Sequence, residues 1–194
     1  MLGKLREKSQ NAIAPLGKTL AKFGFSPNSM TITSLFAAIA SAYAYTLKMP
    51  IVAALLIILT GVIDMFDGAI ARTTGRVTKF GATLDHVIDR YAEFFMIFGI
   101  TYAGYTTWVS GLFTLFGMLM ASFTRAKAES VGGLKACTVG IAERQEKLLI
   151  IIGGSFLLFV YSQSLNYAII IVGILSHITV LQRLHYTWVQ TGGD

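Results

Sequence analysis

The chain has 194 residues, of which 54% are hydrophobic and 13% charged, with a formal net charge of +6 and a mean hydropathy of +0.64. A soluble domain carries about 25% charged residues, so this composition excludes an ordinary water-soluble fold and points to one helical membrane domain. Cys137 is the only cysteine, which excludes an internal disulfide, and no Cys/His cluster suggests zinc.

Residues 1–28 carry Lys4, Arg6, Lys8, Lys18 and Lys22, with Leu2, Leu5, Ile13, Leu16 and Leu20 interspersed, and contain no apolar run long enough for a signal peptide. This pattern predicts an amphipathic helix lying on an anionic membrane surface, the plainer alternative being a solvated basic tail. Six spans follow, near 29–48, 50–73, 82–104, 107–129, 145–162 and 165–187, each long enough for a hydrocarbon core of about 30 Å. Pro50 punctuates the first turn and Gly132-Gly133 opens the loop after the fourth span. The expected architecture is an all-α membrane protein: an amphipathic juxtamembrane segment (1–28) followed by a six-span domain (29–194).

Orientation follows from charge. With the N-terminus inside, fifteen of the sixteen Lys and Arg fall on the cytoplasmic side and only Lys48 lies outside, so both termini are expected in the cytoplasm of a multi-pass cell-membrane protein. Tyr102, Tyr105 and Trp108 mark the outer interface, and Tyr186 and Trp188 the inner one. Topology and anionic ligands account for the positive charge, and no nucleic acid partner is implied.

Four of the five aspartates fall within residues 64–89, as Asp64-x-x-Asp67-Gly68-x-x-Ala71-Arg72-x8-Gly81-x-x-x-Asp85-x-x-x-Asp89. A carboxylate near the middle of a span opposes insertion by about 2.5–3.5 kcal/mol, so four together cost roughly 10 kcal/mol unless they are neutralised. Helical geometry puts Asp64 and Asp67 (i, i+3) on one face, and likewise Asp85 and Asp89 (i, i+4). Counting from Pro50 and Tyr102, two antiparallel helices deliver all four to similar depth, about 10 Å below the cytoplasmic surface. All-oxygen ligation suits Mg²⁺, Mn²⁺ or Ca²⁺. The competing reading is buried ion pairing with Arg72, Arg76, Lys79 and Arg90.

This pattern resembles the signature of the CDP-alcohol phosphotransferase family, membrane enzymes of phospholipid synthesis, and every fixed position is matched. The resemblance implies that Asp64, Asp67, Asp85 and Asp89 hold two divalent cations, Mg²⁺ or Mn²⁺, with Asp89 also the general base. It implies that Gly68, Ala71, Arg72 and Gly81 line the CDP moiety of a CDP-linked lipid, CDP-diacylglycerol or CDP-archaeol. Pro27-Asn28-x-x-Thr31 also resembles a family segment, which would set Asn28 and Thr31 near the nucleotide; equally, these are ordinary residues for starting a helix. The motif leaves His86 free, and it is expected to pack or hydrogen-bond.

Ser122-x-x-Arg125, Glu143-Arg144 and Arg183 fall at the cytoplasmic ends of three spans. Three guanidinium groups at one depth would make a forked anion site, although snorkelling explains any one of them alone. Residues 122–129 and 140–148 resemble the inositol-phosphate-lipid branch of the family, which implies that Ser122, Arg125, Arg144 and Arg183 receive the acceptor's phosphate. The expected activity is transfer of the lipid-bearing phosphate of a CDP-linked lipid to a phosphorylated polyol with release of CMP. Inositol phosphate is the preferred acceptor and glycerol phosphate the second. A cation channel or transporter, the rival class, would spread its carboxylates along a pore. Family members are commonly homodimers, with membrane lipid as their surroundings.

Overall fold

The computed structural model describes residues 15–192, which form helices joined by short turns and one longer loop (131–143), with no strand among them. After α1 (residues 15–22) come α2 (Pro27–Thr46), α3 (Pro50–Thr74), α4 (Lys79–Tyr102), α5 (Trp108–Ser130), α6 (Arg144–Leu157) and α7 (Ser164–Thr191). Lys4, Arg6 and Lys8, on which much of the expected surface helix rests, lie outside the described residues.

Local chemistry sets most of the boundaries. Ser26 and Ser29 form a reciprocal capping box at the start of α2, with Pro27 in the first turn. Pro50 opens α3, and Gly75 closes it in the left-handed conformation (φ 67°). Thr78 and Thr107 cap α4 and α5 through bonds from Gly81 N and Ser110 N. The expected fifth span at 145–162 is shorter than foreseen: α6 has 14 residues, about 21 Å. It ends in a turn in which Val160 N and Tyr161 N both bond Leu157 O and Ser164 Oγ bonds Gly154 O. Among the described residues, three helices qualify as membrane spans on their own by length and apolar composition: α3, α5 and α7.

α2 packs against α3 and α4, α7 against α5 and α6, and α6 also against α3. The main core fills one end of this bundle with Tyr45, Ile57, Met96, Ile97, Ile100, Met118, Ile151, Leu165, Ile169 and Val172. Hydroxyl bonds between helices reinforce it, from Ser41 to Ala53 O, from Thr114 to Ile169 O, and between Tyr45 and Ser155 at 2.6 Å. Glycines permit the closest approaches. A Cβ on Gly99 would lie 2.6 Å from Ala42 Cα, and one on Gly154 would lie 2.5 Å from Ala168 Cβ.

Outward-facing apolar side chains, such as Phe36, Leu55, Leu59, Leu112, Phe116, Ile171 and Leu181, are exposed along the long helices. Such a surface is unfavourable in water and suited to lipid. α1 turns part of its apolar face to protein. Leu20 and Ala21 pack with Met30, Ala37, Ile63 and Ile70, and a Cβ on Gly17 would meet the Ala69 backbone at 2.9 Å. Lys18 and Lys22 remain exposed.

Candidate active site

At the end of the bundle away from the main core, the second half of α3 faces the first half of α4, bringing together the four aspartates singled out by spacing. One oxygen each of Asp64, Asp67 and Asp85 lies within 4.8 Å of the others, and Asp89 forms a second such group with Asp85 and His86. Asp67 and Asp89 are buried and the other two half-buried. Asp64 Oδ1 and Asp85 Oδ1 are buried without a hydrogen-bond partner. Bare, converging carboxylate oxygens away from water demand a compensating cation, and an all-oxygen set of this kind fits Mg²⁺ or Mn²⁺.

α2 supports this cluster from the side. Thr31 Oγ1 donates to Asp67 Oδ2 at 2.6 Å, which holds that carboxylate in one orientation. Asn28 Oδ1 would lie 3.4 Å from a Cβ on Gly81, so the start of α2 meets the start of α4. Thr31 is therefore a helix-starting residue and a partner of the cluster at once, while Asn28 faces Gly81 at the start of α4. Arg72 is exposed and folds back along α3, its Nη1 2.9 Å from where a Gly68 Cβ would stand; Ala71 is half-buried beside it. Ion pairing of the aspartates with Arg72, Arg76 or Lys79 is not found among the described residues; Arg90 is the nearby cation of that group, 3.8 Å from Asp89 and 3.2 Å from Glu93.

A cavity of about 270 Å³ adjoins the cluster, at the small end of the roughly 300–1,000 Å³ usual for ligand pockets, and charged groups dominate its wall. Ser122, Arg125, Arg144 and Arg183 all line it, as their placement on three helices predicts. Each arginine is held differently. Arg183 is buried, donating from Nε to Val139 O and from Nη1 to Ala121 O. Arg125 pairs with Glu129 at 3.1 Å, and Glu129 also accepts from Cys137 N. Arg144 reaches into the acidic cluster, with Nη1 at 2.8 Å from both Asp64 Oδ2 and Asp89 Oδ1.

Asp89 is the one member of the aspartate quartet on the cavity wall. It thereby joins the carboxylate cluster to the arginine-lined cavity. Two wall residues escaped sequence reasoning: Glu93 (2% exposed) and Lys147 (5%). Their signals were present, since Glu93 follows Asp89 by one helical turn and Lys147 follows Arg144 by three residues.

The sequence profile of the CDP-alcohol phosphatidyltransferase family matches residues 25–181, which contain the whole cluster and most of the cavity. This chain belongs to that family. Among curated CDP-alcohol phosphatidyltransferase relatives, the archaetidylinositol phosphate synthase of Pyrococcus horikoshii is 36% identical over 185 residues, covering 95% of both chains. The crystal structure of Mycobacterium tuberculosis phosphatidylinositol phosphate synthase with CDP-DAG bound superposes with a TM-score of 0.82 at 27% identity, covering 90% of this chain and 92% of that one. The same enzyme in complex with manganese and citrate gives a TM-score of 0.81 at 28% identity, over 90% of this chain and 88% of that one. As a member of this family the chain is an enzyme, a transferase of substituted phosphate groups in phospholipid synthesis.

Proposed function

We propose that this enzyme transfers the lipid-bearing phosphate of CDP-archaeol or CDP-diacylglycerol to the hydroxyl of a phosphorylated polyol, with myo-inositol 1-phosphate preferred, and releases CMP. The observation that carries this reading is the place of Asp89, shared between the carboxylate cluster and an arginine-lined cavity. The names of the relatives, archaetidylinositol phosphate and phosphatidylinositol phosphate synthases, agree with it.

Asp64, Asp67, Asp85 and Asp89 would hold two divalent cations, Mg²⁺ or Mn²⁺. When bound, these supply electrostatic stabilisation of the pyrophosphate and of the departing nucleotide. The chain's own residues do the rest. Thr31 fixes Asp67. Asn28, Gly68, Ala71, Arg72 and Gly81 form the nucleotide side, where the small residues admit the CDP backbone and Arg72 supplies a cation. Asp89 takes the acceptor's hydroxyl proton as the oxygen bonds to the lipid-attached phosphorus. The bond from that phosphorus to the bridging pyrophosphate oxygen breaks, and CMP leaves with the electron pair. Ser122, Arg125, Arg144 and Arg183 receive the acceptor's own phosphate by charge-assisted bonds.

In a panel of acceptors with CDP-lipid and Mn²⁺, inositol 1-phosphate should exceed unphosphorylated inositol by at least about 100-fold in kcat/KM, the worth of two charge-assisted contacts. Equal reaction of the two would refute the phosphate site. A preference for glycerol 3-phosphate would keep the site and reassign the acceptor.

The domain of residues 29–194 is read as six membrane crossings, with α2, α4 and α6 completing the set begun by α3, α5 and α7. α2 and α4 turn their polar groups inward, as Thr31, Ser34, Ser41, Asp89 and Glu93 do. Residues 1–28 form the interfacial segment, and both termini and the site face the cytoplasm. Single cysteines in the 130–140 loop, in a Cys137→Ser background, should react with an impermeant maleimide only from the cytoplasmic side, and Lys48→Cys only from outside. The opposite pattern would reverse the topology and the cytosolic acceptor route with it.

A further inference from the structure

Arg144 has two sets of partners that it cannot serve together. Its Nη1 stands 2.8 Å from Asp64 Oδ2 and 2.8 Å from Asp89 Oδ1, on two of the carboxylates that the proposed function gives to divalent cations. The same side chain lines the anion cavity with Ser122, Arg125, Lys147 and Arg183. A guanidinium and a divalent ion repel each other and compete for the same two carboxylates, so each disfavours the other. Arg144 is the first residue of α6, where a long side chain can turn between neighbours without disturbing a helix. Glu93, buried one turn beyond Asp89, lies 3.9 Å from Arg144 Nε and belongs to neither the quartet nor the nucleotide side. It offers a fixed countercharge in either position.

We propose that Arg144 is an exchangeable internal cation: it neutralises Asp64 and Asp89 until divalent metal binds those carboxylates, and the displaced guanidinium, held near by Glu93, then binds the acceptor's phosphate. This inference rests on the reading of the aspartates as metal ligands. Its consequence is a reciprocal coupling between two sites. Metal frees the group that binds phosphate, and phosphate holds that group away from the metal ligands, so each ligand tightens the other by the same factor. The coupling needs no movement of the helices.

The test is Mn²⁺ titration of purified protein, followed by electron paramagnetic resonance without CDP-lipid, with and without saturating inorganic phosphate. In wild type, phosphate should tighten Mn²⁺ binding about 5- to 50-fold, a typical coupling range. Arg144→Gln should bind Mn²⁺ about 5- to 20-fold more tightly than wild type without phosphate, and phosphate should then change that affinity less than about twofold. Arg125→Gln serves as the contrast: it should weaken phosphate binding and keep the wild-type coupling factor, because Arg125 contacts Glu129 and none of the four aspartates. Wild-type Mn²⁺ affinity indifferent to phosphate would overturn the inference without any variant. So would Arg144→Gln with unchanged Mn²⁺ affinity, or with coupling of the wild-type size. If no Mn²⁺ binding is lost in Asp67→Asn, the metal reading itself falls and this inference with it.

Discussion

Asp64→Asn, Asp67→Asn and Asp85→Asn should each lower CMP release at least about 1,000-fold, equivalent to roughly 4 kcal/mol of lost transition-state stabilisation. The three carboxylates converge within 4.8 Å, so removing the charge of one weakens the whole set. Asp89→Asn should fail differently. Its oxygen lies on the cavity wall, so the amide should leave CDP-lipid binding largely intact while removing the group that accepts the hydroxyl proton. Equilibrium binding of CDP-lipid measured beside CMP release separates the two patterns. Wild-type turnover that persists in excess chelator would contradict the metal reading for all four.

The second large effect concerns the acceptor. Neutralising Arg125 should raise the acceptor KM about 10- to 150-fold, the loss of one charge-assisted contact of about 1.5–3 kcal/mol, with little change in CDP-lipid KM. Arg183→Ala should weaken acceptor binding to a similar degree and also lower the thermal midpoint. That side chain satisfies the carbonyls of Val139 and Ala121, and each buried polar group left bare costs about 1–3 kcal/mol. Unfolding followed by intrinsic fluorescence, together with steady-state kinetics on both substrates, distinguishes a binding contribution from a structural one. Acceptor kinetics untouched by Arg125→Gln would reduce that arginine to an anchor at the membrane surface.

How far the sequence reached differs between elements. Pro27, Pro50, Thr107 and the Gly75 turn are local devices, and helix limits near them fell within a few residues of expectation. The end of α6 had no such device. The run from Phe156 to Tyr161 is apolar or aromatic throughout, so hydropathy carries a span past Leu157, where the chain instead turns back to pack on α7. The aspartate quartet was legible because i, i+3 and i, i+4 spacing is itself geometry, and the Ser122, Arg125, Arg144 and Arg183 set because all four lie in the halves of their helices nearest the loop between α5 and α6 or the end of α7. Arg144 shows the limit. Its partner Asp64 lies 80 residues away in the chain, and only the docking of α6 on α3 turns a plausible surface anchor into a guanidinium between two carboxylates. Glu93 and Lys147 were passed over for a related reason: each extends a charged run on its own helix, and only the cavity walled by several helices shows that these two charges turn inward.

Group transfer from a CDP-linked lipid to a phosphorylated polyol is read out by the stoichiometry of purified protein acting on CDP-archaeol or CDP-diacylglycerol with Mn²⁺ and inositol 1-phosphate. The expected result is one CMP released per molecule of a new lipid whose mass equals the lipid phosphate joined to inositol phosphate, with CMP release falling to background when the acceptor is left out. CMP released at the same rate without acceptor, or a lipid product lacking the second phosphate, would contradict the account.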